Sequence, residues 1–144
     1  MLISAIVDEK GTEVAAVAPD TPVAEAVRLL AARRIGAVLV RDGAGEVRGI
    51  LSERDLVRAL AADGAAALAR TAADLMTSPV RCCAPDDTVE QVMAAMTEGR
   101  FRHMPVMVDG ALAGIVSIGD VVKHRLEEAG QEVNVLRGYI AGAA

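Results

Sequence analysis

The pattern of hydrophobic and polar positions in the first half of the chain returns in the second half. Apolar residues recur at helical spacing in both halves, as Val23, Ala26, Val27 and Leu30 and then as Val89, Val92, Met93 and Met96. Apolar residues at positions i, i+3, i+4 and i+7 indicate one buried face of an α-helix. The sequence therefore predicts the same amphipathic helix twice.

Each predicted helix is preceded and followed by the same elements. A short strand comes first, at about residues 13–17 and 80–83, and a Pro-Asp turn then leads to Thr21 or Thr88 as the N-cap. After the helix, two apolar strands flank an Asp-Gly turn, at residues 37–41 with 47–51 and 103–108 with 112–116. A second amphipathic helix begins at Ser52 or Ser117. The order β-α-β-β-α occurs twice, which predicts an α+β fold of the α/β type.

The two copies also share individual residues, most clearly at the last strand-to-helix junction. The first copy reads Gly49-Ile50-Leu51-Ser52-Glu53-Arg54-Asp55 and the second reads Gly114-Ile115-Val116-Ser117-Ile118-Gly119-Asp120. In each copy, a serine is placed to cap the helix and an aspartate lies in its first turn. The matches stay in register apart from a change of length in the hairpin turn, so we interpret the chain as a duplication.

The strands are continuously apolar, which indicates sheets that are covered on both faces. A repeat of roughly 55 residues buries too little surface to be stable alone, so we expect the two repeats to pack together. We divide the chain into repeat 1 with the N-terminal segment and a linker helix (1–70), repeat 2 (71–128) and a helical tail (129–144). The linker, residues 62–76, is rich in alanine. The tail has apolar residues at helical spacing and is expected to cover an edge or join a dimer interface, through Val133, Leu136, Tyr139 and Ile140.

Composition narrows the class of protein. Hydrophobic residues make up 53% of the 144 residues and only Phe101 and Tyr139 are aromatic, so the core is aliphatic. The net charge is −5 and no basic stripe is present, which argues against nucleic acid as a partner. The N-terminus lacks the pattern of a signal peptide, and no apolar run is long enough to span a bilayer. These features predict a cytoplasmic protein without a membrane partner.

Cysteine and histidine offer little for redox or metal chemistry. Cys82 and Cys83 are adjacent, so they cannot cross-link distant parts of the chain, and with two histidines they are too few for a metal site. We interpret the cysteines as small buried residues of a strand, with redox sensing as the alternative. His124 is expected at the surface of the last helix.

Together, the two ordered copies resemble a tandem pair of CBS domains, the cystathionine β-synthase domain module, in a stand-alone bacterial CBS protein. Two further segments are typical of that family, Asp74-Leu75-Met76-Thr77 and Arg102-His103-Met104-Pro105-Val106. The resemblance covers about residues 5–128. It implies that the repeats are related by a pseudo-two-fold axis and that the clefts between them bind AMP, ADP, ATP, NAD or S-adenosylmethionine. It also implies a homodimer of two such pairs.

An adenosine ligand would meet three groups of residues in these clefts. A carboxylate can accept two hydrogen bonds from a ribose diol, which assigns this role to Asp55 and Asp120 with the hydroxyls of Ser52 and Ser117. Helix N-termini favour phosphate, and Arg54 would add a charge there. The resemblance implies that Arg102 and His103 also contact the phosphate. The resemblance implies a base pocket formed by Thr12, Val14, Ile35, Val80, Cys82, Met104 and Pro105. The alternative for Ser-x-x-Asp is a capping box that needs no ligand.

The two predicted clefts are not equivalent. Gly119 takes the place of Arg54 in the second copy, and Gly36 and Ala37 take the places of Arg102 and His103 in the first. We therefore expect the clefts to differ in affinity or ligand, with the Asp120 cleft as the better-supported nucleotide site.

These observations favour a regulatory module that binds an adenosine nucleotide and acts as a signal-transduction or energy-state sensor, with a protein partner of unknown identity. The alternative is a protein-interaction or structural module whose clefts are empty or degenerate. An enzyme is disfavoured, because no motif places a nucleophile beside a base and neither G-x-S-x-G nor a P-loop is present. The sequence predicts no catalytic residue, no metal ligand and no catalytic cofactor.

Overall fold

The computed structural model describes the backbone of residues 1–143 and the side chains of residues 1–140. The chain forms two compact units, Glu13–Arg81 and Met1–Thr12 with Cys82–Ala144. Each unit contains one copy of the repeat, and the predicted mixed α and β fold class is confirmed. In chain order the elements are α1 (Ile3–Lys10), β1 (Ala16–Val17), α2 (Val23–Arg33), β2 (Ala37–Arg41), β3 (Val47–Ser52), α3 (Glu53–Asp63), a 3₁₀ helix (Gly64–Ala69), α4 (Ala72–Leu75), α5 (Val89–Gly99), β4 (His103–Val108), β5 (Ala111–Ser117) and α6 (Ile118–Ala143).

The unit Glu13–Arg81, called here the first-repeat unit, is built on a three-stranded sheet in the order β1-β2-β3. β1 runs parallel to β2, and β2 runs antiparallel to β3 with a bulge between Val40 and Arg41. β2 and β3 lie within one residue of their predicted bounds. The predicted apolar face of α2 packs on this sheet, and the core contains Val23, Ala26, Leu30, Val38, Val40, Leu51, Leu56 and Ala72.

The other unit, called here the second-repeat unit, contains the antiparallel pair β4 and β5. The strand predicted at residues 80–83 is reduced to a single parallel bridge between Cys83 and Val106. Cys83 N–H donates to the Pro105 carbonyl at 2.9 Å, and the Cys83 carbonyl accepts from Met107 N–H at 2.8 Å. In this parallel register the next ladder bonds would need an N–H from Pro105 on the side of Arg81 and from Pro85 on the other side, and proline has none.

The N-caps of the two equivalent helices differ. Thr88 caps α5, as predicted, and the structure adds a capping box with Gln91. The predicted Thr21 cap of α2 is wrong, because Pro22 occupies the N-cap position. The Thr21 hydroxyl instead accepts a hydrogen bond from Ala18 N–H at 3.1 Å, which stabilises the Pro-Asp turn before the helix.

Helix α1 packs in the second-repeat unit, although it precedes the first repeat in the chain. Ile3 and Ile6 are fully buried there, in a core with Val89, Val116 and Val121. Backbone hydrogen bonds hold its start, from Ile3 N–H to the Asp87 carbonyl and from Ser4 N–H to the Pro85 carbonyl, both at 2.9 Å. The packing therefore differs from the division at residue 70, which grouped the N-terminal segment with the first repeat. The counterpart of α1 is α4, which precedes the second repeat and packs in the first-repeat unit, with Ala72 N–H donating to the Thr21 carbonyl and Ala73 N–H to the Pro19 carbonyl. The sequence comparison did not reveal this pair, because no shared motif links the two helices.

His124 joins α1 to α6, and the prediction of a surface position for it was wrong. Its side chain is buried, with Nδ1 at 2.8 Å from the Asp120 carbonyl oxygen and Nε2 at 2.7 Å from the Glu9 carboxylate. Lys123 Nζ also lies 3.2 Å from Glu9. A polar contact between two helices buries this histidine, and the helical period of α6 alone could not indicate it.

The predicted tail continues α6 as far as Ala143, so it is helical as expected, and its last residue lies outside the described residues. Its apolar side chains Val133, Leu136, Tyr139 and Ile140 are exposed in the single chain. A dimer interface at this helix stays a prediction. Within the part of the chain that the structure describes, no helix combines the length and the apolar character required to cross a membrane.

The two glycines that open the repeated junction provide a matched test of packing. A Cβ added at Gly49 would lie 2.9 Å from the Thr77 carbonyl oxygen, whose position is fixed because it accepts from Ile50 N–H at 3.0 Å. A Cβ at Gly114 would meet Val7 at an ordinary 3.5 Å. We predict that Gly49→Ala lowers the free energy of unfolding by about 1–3 kcal/mol, whereas Gly114→Ala has little effect. Chemical denaturation measures the free energy of unfolding of both variants. An equal decrease in the two variants would contradict this prediction.

The contact between Glu9 and His124 predicts a pH-dependent stability. Burial alone would lower the pKa of His124, but its hydrogen bonds to the Asp120 carbonyl and Glu9 outweigh burial and raise that pKa above the usual 6.5. Hydrogen bonds from His124 and Lys123 lower the pKa of Glu9 below the usual 4.5. The stabilisation is therefore complete below the ordinary histidine pKa, while Glu9 is ionised, and it decreases as the pH rises through the raised pKa of His124.

We therefore predict that Glu9→Gln lowers the melting temperature more at about pH 6 than at about pH 9. Thermal unfolding of the variant and the unmodified chain at the two pH values measures this. Glu132→Gln is the control, since Glu132 is an exposed residue of α6, the helix that carries His124, and should show no such dependence. If Glu9→Gln lowers the melting temperature by the same amount at both pH values, His124 is not the titrating partner of Glu9.

Candidate functional site

The junction between β3 and α3 is a reciprocal capping box in the first-repeat unit. Ser52 Oγ accepts from Asp55 N–H at 3.3 Å, and Asp55 Oδ2 accepts from Ser52 N–H at 2.9 Å and from the Ser52 hydroxyl at 3.0 Å. The other oxygen, Asp55 Oδ1, accepts from the Thr77 hydroxyl at 2.9 Å. Asp55 is predicted to bind a ribose, and both of its carboxylate oxygens thus already accept hydrogen bonds from within the unit.

The equivalent junction between β5 and α6 has a different partner for its aspartate. Asp120 N–H donates to Ser117 Oγ at 3.2 Å, and Ser117 N–H donates to Asp120 Oδ2 at 2.9 Å. Lys10 Nζ, at the end of α1, donates to the same Oδ2 at 2.7 Å. The capping interpretation is thus confirmed at both junctions, whereas the role of the two aspartates in ligand binding stays a prediction.

The environment of Asp120 favours its charged form. Burial of the carboxyl would raise its pKa, but the hydrogen bond and charge of Lys10 and the bonds from Ser117 outweigh burial and lower it. Asp120 is therefore ionised at neutral pH and can accept hydrogen bonds from hydroxyl groups.

The predicted phosphate contacts of the second repeat lie next to this junction. His103, at the start of β4, is paired with Ser117 of β5, so their side chains lie side by side. The Arg102 carbonyl accepts from Ile118 N–H at 2.8 Å, in the first turn of α6. Arg102 is exposed and His103 is half-buried. The second-repeat unit thus brings Arg102, His103, Ser117 and Asp120 together.

The first-repeat unit builds the same backbone arrangement without the basic pair. Ala37 is paired with Ser52, and the Gly36 carbonyl accepts from Glu53 N–H at 3.0 Å. Arg54 is an exposed residue in the first turn of α3. The backbones of the two junctions are therefore equivalent, and their charged side chains are not.

The residues predicted for the base pocket are divided between the two units. Val14, Ile35 and Val80 belong to the first-repeat unit, where each is half-buried. In the second-repeat unit, Thr12 and Cys82 are exposed, whereas Met104 and Pro105 are buried. Met104 packs in the apolar core of that unit. A pocket formed by these seven residues stays a prediction.

Two residues beside the aspartates were missed by sequence reasoning. Thr77, which contacts Asp55, lies in the Asp74-Leu75-Met76-Thr77 segment, so a signal for it was present. Lys10 had no such signal, because no motif in the sequence of α1 indicates that this helix packs on the second repeat, which is what brings Lys10 to Asp120.

One group of described residues has the composition of a metal site. Glu9, His124 and Glu127 each place a ligand atom within 4.8 Å of the others. Glu9 and Glu127 are exposed, and Glu9 is already paired with His124 and Lys123. We therefore interpret these residues as part of the contact between α1 and α6 and not as metal ligands.

The cysteines differ from each other. Cys83 is buried as predicted, and burial, with the nearby charges of Asp87 and Cys82, raises its pKa to about 12. Cys82 is exposed, which corrects the prediction of a buried residue, and partial burial of its thiol raises its pKa. A raised pKa reduces the thiolate fraction, so neither residue has the environment of an activated cysteine.

Comparisons with known proteins place the duplication in one family. The family model described as the CBS domain matches residues 5–62 and 72–127. The chain is 49% identical to a CBS-domain containing protein from Agrobacterium tumefaciens, whose structure aligns with a TM-score of 0.84 over 86% of this chain and 92% of that one. It is 35% identical over 127 residues to the mitochondrial CBS domain-containing protein CBSX3 of Arabidopsis thaliana. That alignment covers 85% of this chain and 62% of that protein's length.

A further similar structure is that of CBSX2, which was solved in complex with AMP. It is 27% identical to this chain and aligns with a TM-score of 0.70 over 81% of this chain and 90% of that one. Each match of the family model covers one of the two repeats described above, and the first match also includes most of α1. The chain therefore belongs to the CBS domain family and contains two copies of that domain.

Proposed function

We propose that this protein is a regulatory module that binds an adenosine nucleotide, with the ligand's ribose at Asp120. The observation that carries this proposal is the cluster in the second-repeat unit, where an ionised carboxylate and the first turn of α6 lie beside Arg102 and His103. The AMP bound to the similar CBSX2 supports an adenosine ligand. AMP, ADP, ATP and NAD all present the required groups.

Each group of this cluster suits one part of such a ligand. The Asp120 carboxylate can accept the two hydroxyls of a ribose diol, and the Ser117 hydroxyl adds a hydrogen bond on the same side. The first turn of α6 supplies positive potential, and Arg102 and His103 add charge or N–H donors for phosphate. In this proposal the base lies against the predicted pocket residues, including Cys82 and Pro105.

The site at Asp55 is proposed as the weaker of the two. Its Oδ2 already accepts from the Ser52 N–H and hydroxyl, and its Oδ1 accepts from the Thr77 hydroxyl. One lone pair of Oδ1 is therefore left for a ribose hydroxyl, whereas the bonds described for Asp120 leave both lone pairs of its Oδ1. The neighbouring Gly36 and Ala37 supply no charge for phosphate. Arg54 is its predicted phosphate contact.

Regulation would follow from the difference between two states of the module. A ligand shifts an equilibrium only as far as its affinity differs between those states, so nucleotide binding must alter packing that a partner recognises. We propose a cytoplasmic homodimer, without catalytic activity, as the form in which this happens. The role would be that of a signal-transduction or energy-state sensor.

A second candidate function is a protein-interaction module whose nucleotide sites are empty. The exposed apolar residues of α6 favour it, since Leu136, Tyr139 and Ile140 are each more than half exposed in the single chain. Contiguous apolar surface of this kind often marks a contact with another protein.

Calorimetric titration with AMP, ATP and NAD tests the proposal. We expect at least one of them to bind, and Asp120→Asn to weaken that binding about tenfold or more, because a charged acceptor of two hydrogen bonds is lost. Asp55→Asn is the matched control and should have a smaller effect. Thermal unfolding of both variants checks that they remain folded. Absence of binding by all three ligands at millimolar concentration would favour the interaction module instead.

A further inference from the structure

Lys10 occupies the oxygen of Asp120 that a ribose diol needs. Oδ2 accepts from Ser117 N–H at 2.9 Å and from Lys10 Nζ at 2.7 Å. A carboxylate oxygen has two lone pairs, so these two bonds saturate it. The bonds described for Asp120 fall on Oδ2, which leaves Oδ1 as the oxygen that can accept a hydroxyl without any rearrangement.

A diol that binds through both oxygens must therefore replace one of the two donors on Oδ2. The Ser117 N–H is part of the backbone cap of α6, so it cannot leave without opening the first turn of the helix. Lys10 is at the end of a flexible side chain that is 39% exposed, and its ion pair with Asp120 is correspondingly weak. Lys10 is the donor that a bound diol would displace.

The displaced ammonium group needs a new acceptor beside the ribose. A 5′-phosphate on the same ligand can provide one, because it is anionic and accepts several hydrogen bonds. An unphosphorylated nucleoside has no anionic group to offer. Binding of a nucleoside would therefore lose the ion pair between Lys10 and Asp120, whereas binding of a nucleotide would exchange it for another.

We propose that Lys10 determines specificity at the Asp120 site, by making it select 5′-phosphorylated adenosine ligands over uncharged adenosine. The inference rests on the proposed function and identifies the ligand class of that site more narrowly. It differs from the role proposed for Arg102, since Arg102 can only add affinity for phosphate. Lys10 also opposes the binding of ligands that lack phosphate.

This double role gives Lys10→Gln an effect that depends on the ligand. Affinity for AMP should fall about threefold to tenfold, because one charge-assisted hydrogen bond to phosphate is lost at a partly exposed position. Affinity for adenosine should stay the same or increase, because the diol no longer competes with a lysine. The measurement is calorimetric titration of the full chain with AMP and with adenosine.

Lys123→Gln is the matched control. Lys123 is also a lysine at the contact between α1 and α6, but it pairs with Glu9 at 3.2 Å rather than with Asp120. If Lys10 acted only by holding α1 in place, both variants would weaken AMP binding to a similar extent. A direct contact with the ligand predicts that Lys123→Gln leaves the affinities for AMP and adenosine unchanged.

The outcomes separate this inference from the proposed function. An unmodified chain that binds AMP, with binding weakened by Asp120→Asn but unaffected by Lys10→Gln, overturns the inference alone. Equal weakening of AMP and adenosine by Lys10→Gln, or the same losses in Lys123→Gln, also overturns it. If the unmodified chain binds ATP or NAD but neither AMP nor adenosine, the inference alone is rejected. If it binds none of AMP, ATP, NAD and adenosine, the proposed function and the inference are both rejected.

Discussion

The reciprocal cap between a serine and an aspartate is the interaction on which the rest of the structure depends. At Ser52 with Asp55, and again at Ser117 with Asp120, a strand ends and a helix begins within one residue. The cap fixes the direction in which the helix leaves the sheet, and it orients the carboxylate at the same time. Stability and the candidate chemistry therefore share the same atoms. A substitution of either aspartate alters both, which is why folding must be measured beside binding.

Duplication gave the two junctions the same backbone, and their surroundings then made them different. The aspartate of the first repeat contacts Thr77, a neutral hydroxyl that follows its own repeat in the chain. The aspartate of the second contacts Lys10, a cation at the end of α1, which is the helix equivalent to α4. A neutral donor and a charged donor present very different environments to an anionic ligand. The difference between the two candidate sites thus comes as much from the segments around the repeats as from substitutions within them.

Sequence reasoning predicted well what depends on local pattern and poorly what depends on packing across the chain. The bounds of β2 and β4, the N-cap at Thr88 and both junction caps followed from periodicity and residue type. The burial of His124 and the position of Lys10 did not, because each is created by the docking of α1 on α6. The strand predicted at residues 80–83 is absent for a different reason. Its apolar pattern was suitable, but Pro105 on the partner strand and Pro85 have no N–H at the two positions where the ladder would continue.

The position of α1 also constrains the order in which the chain can fold. Ile3 and Ile6 complete a core with Val116 and Val121, which are synthesised more than a hundred residues later. The first-repeat unit, Glu13–Arg81, draws all of its core from a continuous segment and can form as soon as that segment is available. During synthesis, α1 therefore exposes its apolar face until the second repeat is made, and the contacts of greatest sequence separation form last. The helix that brings Lys10 to the candidate site is thus also the element that closes the fold.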